Sequence, residues 1–212
     1  MIDYYNKRVE EYEDIYRRKD PERQAELDRI ANRLHELFQG RNVLEAACGT
    51  GYWTERVYDH VSSITAIDKA ENVIEFAGKK NLPASKVHFQ IADVFEMKDV
   101  AEHFNGGFAN FWFSHIPKKK IGAFLELFHS RLQAGSPVYF ADNVYIEGQG
   151  GTLENGPDGD DTYKRRTLNN GETYTILKNY YDRDTLHGMF SKVSENVTVE
   201  YGKYYWQVYY TL

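Results

Sequence analysis

The chain has 212 residues, 42% of them hydrophobic, and a formal net charge of -6. This length fits one α/β domain with a sizeable core, and no run approaches the roughly 20 apolar residues of a membrane span. The negative charge argues against nucleic acid as a partner, because that binding depends on basic residues. The single cysteine, Cys48, leaves no partner for an internal disulfide and predicts a cytoplasmic protein.

The first two thirds of the chain change from a helical pattern to alternating strands and helices. Residues 3–38 are predicted to be helical, with Asp20 as a cap and Pro21 in a first turn. After Gly40 the predicted strands are Asn42–Ala46, Ser63–Ile67, Lys86–Ala92, Gly107–Phe113 and Pro137–Ala141. The predicted helices are Tyr52–His60, Glu71–Lys80 and Lys118–Leu132. This order predicts a doubly wound α/β fold with a mostly parallel sheet.

The last third of the chain has a different pattern. Gly148–Asp161 is rich in Gly and Asp and is predicted to be a loop. Two strand-like runs, Tyr163–Leu168 and Thr173–Asn179, flank an Asn-Gly turn and predict a β-hairpin. A helix at Thr185–Phe190 and two antiparallel strands close the chain; the strands are Val193–Tyr201 and Tyr204–Leu212.

A glycine-containing turn follows the first predicted strand. The stretch Val43–Gly51 is an apolar run that ends at Glu45 and continues through small residues to Gly49 and Gly51. Without side chains at these two positions, a ligand can approach the backbone closely. The third glycine of the dinucleotide-binding fingerprint is absent, and Glu45 suits a ligand with a cationic or amino group.

Acidic residues also end the next two strands. Asp68 lies 17 residues after Gly51, where a carboxylate can accept both hydroxyls of a ribose. Asp93 ends the third strand, where a side-chain acceptor beside a backbone amide can recognise an adenine edge. Together with Glu45, these residues describe a site for a nucleoside that carries a positive charge.

These motifs resemble those of the class I S-adenosylmethionine-dependent methyltransferases. The matching pieces are Leu44–Gly51, Ala66–Asp68 and Ala92–Val94, and the resemblance covers roughly residues 40–145. It implies a Rossmann-like, mostly parallel seven-stranded sheet, S-adenosyl-L-methionine as the cofactor and S-adenosyl-L-homocysteine as its product. The glycine turn would hold the methionine part, Asp68 the ribose, and Asp93 with Val94 the adenine. The cofactor-binding residues implied by the resemblance are Glu45, Ala47, Gly49, Gly51, Trp53, Thr54, Asp68, Lys69, Asp93 and Val94.

The N-terminal tyrosines resemble the lid of many small-molecule methyltransferases of this class. Tyr5 and Tyr12 share one helical face, which predicts either cofactor contact under a lid or simple packing against the domain. We therefore expect a single domain, 1–212. Its predicted parts are a helical lid at 1–38, a cofactor-binding core at 40–145, a substrate-side hairpin insertion at 160–180, and a closing helix and strands at 182–212.

The predicted hairpin carries a local basic cluster. If Asn169-Asn170-Gly171 forms a three-residue loop, Arg166 shares a face with Lys178; a two-residue turn would place Arg165 there instead. In an acidic chain this cluster points to an anionic substrate, since Arg and Lys bind oxyanions. A solvated outer face is the alternative.

A narrower resemblance is to the dehydrophos-type phosphonate O-methyltransferases and related small-molecule enzymes. Gly49–Thr54, Ser114–Pro117 and the hairpin carry it, and it implies that His115, Arg166 and Lys178 surround the substrate. His115 would act as a base or only orient the acceptor. Asp142 lacks the second carboxylate that a catechol-type metal site needs, so no metal is expected.

The sequence therefore predicts methyl transfer to a small anionic metabolite, with O-methylation favoured. The alternatives are a small-molecule N-methyltransferase and a non-catalytic S-adenosylmethionine-binding regulatory protein. The expected partner is the methyl acceptor, with no nucleic acid and no membrane, and the expected state is a monomer or homodimer.

Overall fold

The computed structural model describes residues 13–101, 103–157, 159–168 and 170–212. The α-helices in these ranges are α1 (Pro21–Phe38), α2 (Tyr52–Val57), α3 (Glu71–Gly78), α4 (Ile121–Ser130) and α5 (Arg183–Phe190). The strands are β1 (Asn42–Ala46), β2 (Ser63–Asp68), β3 (Val87–Ile91), β4 (Gly106–Asn110), β5 (Pro137–Asn143), β6 (Leu153–Asn155), β7 (Thr162–Thr167), β8 (Thr173–Leu177), β9 (Thr198–Tyr201) and β10 (Tyr205–Thr211). None of these helices combines the length and the apolar character needed to cross a bilayer.

The main sheet has seven strands in the order β3-β2-β1-β4-β5-β10-β9. Strands β1 to β5 pair in parallel, and β10 is antiparallel to both of its neighbours. The chain runs outward from β1 to β3 and then returns through β4 and β5 on the other side. This reversal is the topological switch point at which doubly wound sheets bind ligands. The predicted mostly parallel, seven-stranded, doubly wound fold is confirmed.

Helices cover both faces of the sheet and build two apolar layers. On one face Ile30, Leu34 and Phe38 of α1 pack with Trp53 and Val57 of α2. The opposite face is covered by α4 and α5, whose buried residues include Phe124, Phe128, Leu186 and Phe190. Burial of both faces explains why the central strands are almost entirely apolar.

The N-terminal helix is shorter than predicted. Residues 13–20 form a 3-10 turn and bends, and α1 begins at Pro21 because the Asp20 side chain caps it by accepting from the Arg23 amide at 3.2 Å. The continuous helix predicted over 3–38 is therefore wrong for residues 13–20. Since the apolar side of α1 lies in the core, residues 21–38 are part of the domain body and not a lid. Tyr5 and Tyr12 lie outside the described residues.

The hairpin is part of a three-stranded sheet with the order β6-β7-β8. Strand β6 pairs antiparallel with β7 and lies within Gly148–Asp161, which was predicted to be a loop. The Leu168 amide donates to the Glu172 carbonyl at 2.9 Å, which closes the turn as predicted for the three-residue loop. Arg166 and Lys178 consequently share a face, and Arg165 points to the other.

Strand β4 ends at Asn110, three residues earlier than predicted. Phe111 adopts a left-handed backbone conformation with φ of 57°, which ends the extended run, and Phe113–His115 then form a 3-10 turn. This turn brings Ser114 and His115 back over the carboxyl ends of β4 and β5.

Candidate active site

The carboxyl edge of the parallel strands brings most of the predicted site residues together. Glu45 lies in β1, Asp68 ends β2, and Asp93 follows β3. The 3-10 turn after β4 adds His115, and the end of β5 adds Asp142. Ligands of doubly wound sheets bind at this edge, so these side chains face the expected position.

Asp68 fixes the glycine turn. Its Oδ2 accepts from the Gly49 amide at 3.0 Å, and its Oδ1 accepts from the Ala70 amide at 2.9 Å. Burial raises the pKa of this carboxyl, and the amides of Ala70 and Gly49 oppose that change. Each carboxylate oxygen has a further lone pair, so the same group can also accept from a ligand hydroxyl.

The turn requires an unusual backbone. Ala47, Gly49 and Gly51 have φ values of 54°, 56° and 73°, in the left-handed region. A Cβ on Gly51 would lie 3.0 Å from the Phe89 ring and 3.2 Å from the Ala77 Cβ. Gly51 is thus required both by its backbone conformation and by the space around it.

Glu45 is a buried carboxyl, and in the described part of the chain its side-chain partner is Thr54 alone. The Thr54 hydroxyl donates to its Oε2 at 2.5 Å. Burial is the main cause that raises the pKa of Glu45 to about 8, so the group is largely protonated at neutral pH. Proximity to a cationic ligand group would reverse this by favouring the carboxylate.

Trp53 and Thr54 of α2, which were predicted to contact the cofactor, are buried. Thr54 has no solvent exposure and orients Glu45 from within the protein. Trp53 is also buried, and its ring lies 5.7 Å from that of Phe111 and 5.9 Å from that of Tyr16. Both are as buried as Glu45, and their contact with the cofactor stays a prediction.

Asp93 forms an ion pair at the edge of the sheet. Its Oδ2 accepts from Lys69 Nζ at 2.5 Å, and its Oδ1 accepts from the Phe95 amide at 2.9 Å. Burial would raise the pKa of Asp93, but Lys69 and the Phe95 amide bring it below its ordinary value. Val94 is buried in the core next to this pair. The pair lies beside β2 and β3, on the Asp68 side of the edge.

A cavity of about 130 Å³ opens on the other side, beneath the hairpin. Aromatic rings form part of its wall, among them Phe111, Tyr180 and Tyr205. Its titratable side chains with a basic group are Arg18, Arg23, His115, Lys164, Arg166 and Lys178. No carboxylate belongs to its lining among the residues that the structure describes. The cavity therefore suits an anion.

Lys178 belongs to a buried ion pair. Its Nζ donates to Asp142 Oδ1 at 3.0 Å and to Ser114 Oγ at 2.6 Å. Asp142 has 0% exposure and also accepts from the Ser114 amide at 2.8 Å. Burial would raise the pKa of Asp142, but the positive charge of Lys178 and the other donors lower it to about 2. This pair joins β5, the 3-10 turn and the end of the hairpin.

His115 is neutral and has a defined tautomer. Its Nδ1 lies 2.6 Å from the Leu177 carbonyl oxygen, which can only accept, so Nδ1 carries the proton. Burial, with a contribution from Lys178, lowers the pKa of His115 to about 3. The Nε2 atom is therefore a hydrogen-bond acceptor at neutral pH and a weak base.

Arg166 and Lys164 lie on the cavity face of β7. The Nε of Arg166 is buried and has no hydrogen-bond partner among the residues that the structure describes. A Cβ on Gly150 would lie 2.4 Å from Arg166 Nη1, so a glycine at this position makes room for the guanidinium. Lys164 is 2% exposed and donates to the Gln149 carbonyl at 2.6 Å, and burial lowers its pKa to about 8.

Arg23 of α1 contributes a further cationic side chain to the lining of the cavity. It donates to the Tyr205 hydroxyl at 3.3 Å and to Gln149 Oε1 at 3.1 Å, and its guanidinium lies 4.2 Å from the centre of the Tyr204 ring. Gln149 thereby joins α1 to the hairpin through Lys164. The sequence analysis missed Arg23 and Gln149, because only tertiary contacts bring them to the cavity, and it counted Lys164 only as part of the basic cluster of the hairpin.

Comparison with known proteins is consistent with this geometry. Residues 43–135 match the family model described as "Methyltransferase domain". Over 140 residues the chain is 29% identical to the O-methyltransferase cnsE of Penicillium expansum, which covers 59% of this chain and 49% of that protein. The chain thus spans about half the length of that curated relative.

Solved structures match over nearly the whole chain. The DhpI-SAH complex is similar with a TM-score of 0.78 and 25% identity, covering 98% of this chain and 93% of that one. A S-adenosylmethionine-dependent methyltransferase from Clostridium acetobutylicum ATCC 824 has a TM-score of 0.68 and 14% identity, with 98% of each chain covered, and this likeness concerns the fold. With its sheet order and glycine turn, the chain carries a methyltransferase domain at residues 43–135 and is similar in structure to S-adenosylmethionine-dependent methyltransferases.

Proposed function

We propose that this protein transfers a methyl group from S-adenosylmethionine to a small anionic metabolite, with an oxygen of the acceptor as the favoured attacking atom. The observation that carries the proposal is the cavity beside the carboxyl edge, which several cationic side chains line and no described carboxylate does. The product of the donor would be S-adenosylhomocysteine. We further propose that the protein acts in the cytoplasm, as a monomer or homodimer, without nucleic acid.

The charges of the cavity support an anionic acceptor. Lys178 is balanced by Asp142, but within the described part of the chain neither Lys164 nor Arg166 forms an ion pair. Lys164 is buried and Arg166 half-buried, and positive charges removed from water without a counter-ion are costly unless an anion enters. The planar guanidinium of Arg166 suits a carboxylate or phosphoryl group, since it offers two parallel donors.

The cofactor half of the site has groups that fit S-adenosylmethionine. Asp68 would accept from the ribose hydroxyls, and Asp93 with Val94 would bind the adenine. Glu45, beside the turn of Ala47, Gly49 and Gly51, would face the positive end of the ligand. Lys69 would orient Asp93 through their ion pair.

The donor supplies an electrophilic methyl group on a positively charged sulfur, so the protein has mainly to align the acceptor. Positioning of this kind corresponds to effective molarities of about 10⁵ M or more. Arg166 would anchor the acceptor, and Lys178 would hold the 3-10 turn with His115 in place. Because the pKa of His115 is about 3, we propose that it orients an oxygen that is already ionised and does not act as the base.

This charge pattern disfavours the two alternatives. An amine acceptor is largely cationic at neutral pH, and the cavity would repel it. A regulatory protein that only binds the cofactor would not need a second, cation-lined cavity next to the carboxyl edge.

The proposal is tested by the formation of S-adenosylhomocysteine with a panel of small acceptors. The panel contains hydroxy- and keto-carboxylates, phosphonates and phosphate monoesters, with amines of matched size as controls, and mass spectrometry detects the methylated product. We expect turnover with one of the anionic classes and none with the amines. Turnover confined to amines would contradict the proposal, as would cofactor binding without turnover of any acceptor.

A further inference from the structure

Arg23 and Lys164 are buried cations that reach the cavity from distant segments of the chain. Arg23 lies in α1 and is 9% exposed, whereas Lys164 lies in β7 and is 2% exposed. Arg23 forms a long ion pair with Asp20, whose Oδ2 is 4.0 Å from the Arg23 Nε. Lys164 pairs with no carboxylate among the residues that the structure describes. Nearby negative charge therefore balances these two cations only weakly.

Gln149 supplies neutral oxygen atoms to both cations. Its side-chain Oε1 accepts from Arg23 Nη2 at 3.1 Å, and its backbone carbonyl accepts from Lys164 Nζ at 2.6 Å. The donors of two cations, one from α1 and one from β7, thus meet at a single residue. Hydrogen bonds in which both partners are charged are stronger than those to a neutral carbonyl. An acidic group of a ligand would consequently be a better partner for this pair of cations than Gln149 is.

The surroundings of Gln149 allow it to give way to a ligand. The side chain is exposed, and glycines stand next to it at positions 148, 150 and 151. These glycines have φ values of 74°, 72° and 93°, and a residue without a side chain changes its backbone angles with little steric cost. Gln149 and both cations line the cavity. A ligand in the cavity can therefore replace Gln149 at both donors.

We propose that the methyl acceptor carries a second acidic group, which Arg23 and Lys164 bind in place of Gln149. The inference rests on the proposed function, in which Arg166 anchors the first acidic group. The combined charge of these three cations exceeds that of a single carboxylate. The substrate class is thus a small diacid, and Arg23 and Lys164 distinguish it from a monoacid of the same size.

Simple acids of graded length test the inference without knowledge of the acceptor. The probes are the α,ω-dicarboxylates from malonate to adipate and the monocarboxylates of the same chain lengths. Each is titrated by calorimetry into wild-type protein saturated with S-adenosylhomocysteine. We expect at least one dicarboxylate to bind about tenfold or more tightly than the matching monocarboxylate, because it gains hydrogen bonds to two further charged groups.

Gln149→Glu tests the second position directly. The new carboxylate should hold both donors itself, so the dicarboxylate should lose its advantage of about tenfold, while the affinity for the monocarboxylate changes less than about threefold. Arg23→Gln removes one of the two cations and should abolish the same difference. Because Arg23 is buried, Gln149→Glu at an exposed position is the variant that keeps the fold intact.

Gln133→Glu is the matched control. It adds the same charge at another exposed glutamine, which precedes β5 at the opposite edge of the parallel strands and does not line the cavity. We expect it to leave the affinities for both series unchanged.

The inference is overturned if no dicarboxylate binds the wild type more tightly than its monocarboxylate. It is also overturned if Gln149→Glu weakens both series equally, or if it has no more effect than Gln133→Glu. Wild-type protein that binds S-adenosylhomocysteine but neither series of acids would instead refute the anionic acceptor, and with it the proposed function itself.

Discussion

Around the glycine turn, polar groups are held by neighbours that are close in the chain, whereas the cationic cavity is held by segments that are far apart. Asp68 binds the Gly49 amide and Thr54 binds Glu45, within one strand–turn–helix–strand unit. On the other side, Gln149 joins Arg23 of α1 to Lys164 of the hairpin, and Lys178 joins the hairpin to Asp142 of β5. On the proposed function, recognition of the cofactor would be local in the sequence, and recognition of the acceptor would depend on the complete tertiary structure.

The largest effect on stability is expected at the buried ion pair between Lys178 and Asp142, beside the cavity. Asp142→Ala leaves Lys178 buried without its counter-ion, so the free energy of unfolding should fall by about 3–5 kcal/mol. Urea denaturation measures the change. The control is Glu154→Ala, which removes an exposed ion pair with Arg165 and should cost about 0.5 kcal/mol or less. Equal losses of unfolding free energy in the two variants would mean that the buried pair does not stabilise the region around the cavity.

Arg166 should have the largest effect on turnover that leaves the fold intact. We expect Arg166→Ala to lower kcat/KM for the acceptor about tenfold to a hundredfold, mainly through KM, because a charge-assisted anchor is lost. Arg165→Ala is a matched control, since Arg165 lies on the other face of β7 and its side chain is 61% exposed. Steady-state kinetics with an acceptor from the panel decide the point, and a similar loss in both variants would argue against Arg166 as the anchor.

Gly150 tests whether the glycine-rich segment shapes the acceptor site. An alanine Cβ would lie 2.4 Å from Arg166 Nη1, so Gly150→Ala should displace the guanidinium and raise the acceptor KM about tenfold. Gly148→Ala imposes the same backbone cost, since φ is 74° there and 72° at Gly150, but its Cβ meets nothing within 4 Å. If both variants raise KM equally, the effect comes from the backbone and not from Arg166.

The smallest expected effect is the release of a proton from Glu45 when the cofactor binds. The pKa of Glu45 is about 8 in the folded protein and 4.5 when unperturbed, so its protonated form contributes stability below pH 4.5 that is lost as the pH rises through 8. Near pH 7 the cationic ligand should displace this proton. Calorimetry in buffers of different ionisation enthalpy should show proton release for the wild type and none for Glu45→Gln. Equal release in both proteins would remove Glu45 from the ligand site.

The difference between the two halves also explains what the sequence could predict. Glu45, Asp68 and Asp93 end apolar runs, and the ends of parallel strands meet at one edge, so their grouping followed from the pattern alone. The Asn-Gly turn left Arg165 and Arg166 as alternatives beside Lys178, and the narrower resemblance implied Arg166, which the observed register places on the face of Lys178. Trp53 and Thr54 were assigned to the cofactor through the resemblance, and their contact with it stays a prediction.

The residues that the sequence analysis missed depend on contacts between distant segments. Strand β6 forms only because β7 pairs with it, and its own composition is that of a loop. Lys164 is one basic residue among three, and strand alternation places it on the face of Arg166, but its burial and its bond to the Gln149 carbonyl appear only in the fold.

The measurement that tests the division of the site most directly is the affinity for S-adenosylhomocysteine of Asp68→Ala and Arg166→Ala, determined by calorimetry. We predict that Asp68→Ala weakens binding about tenfold or more through loss of the ribose contacts, and that Arg166→Ala changes it less than about twofold. Unchanged affinity in Asp68→Ala, or an equal loss in Arg166→Ala, would contradict the account of two separate halves.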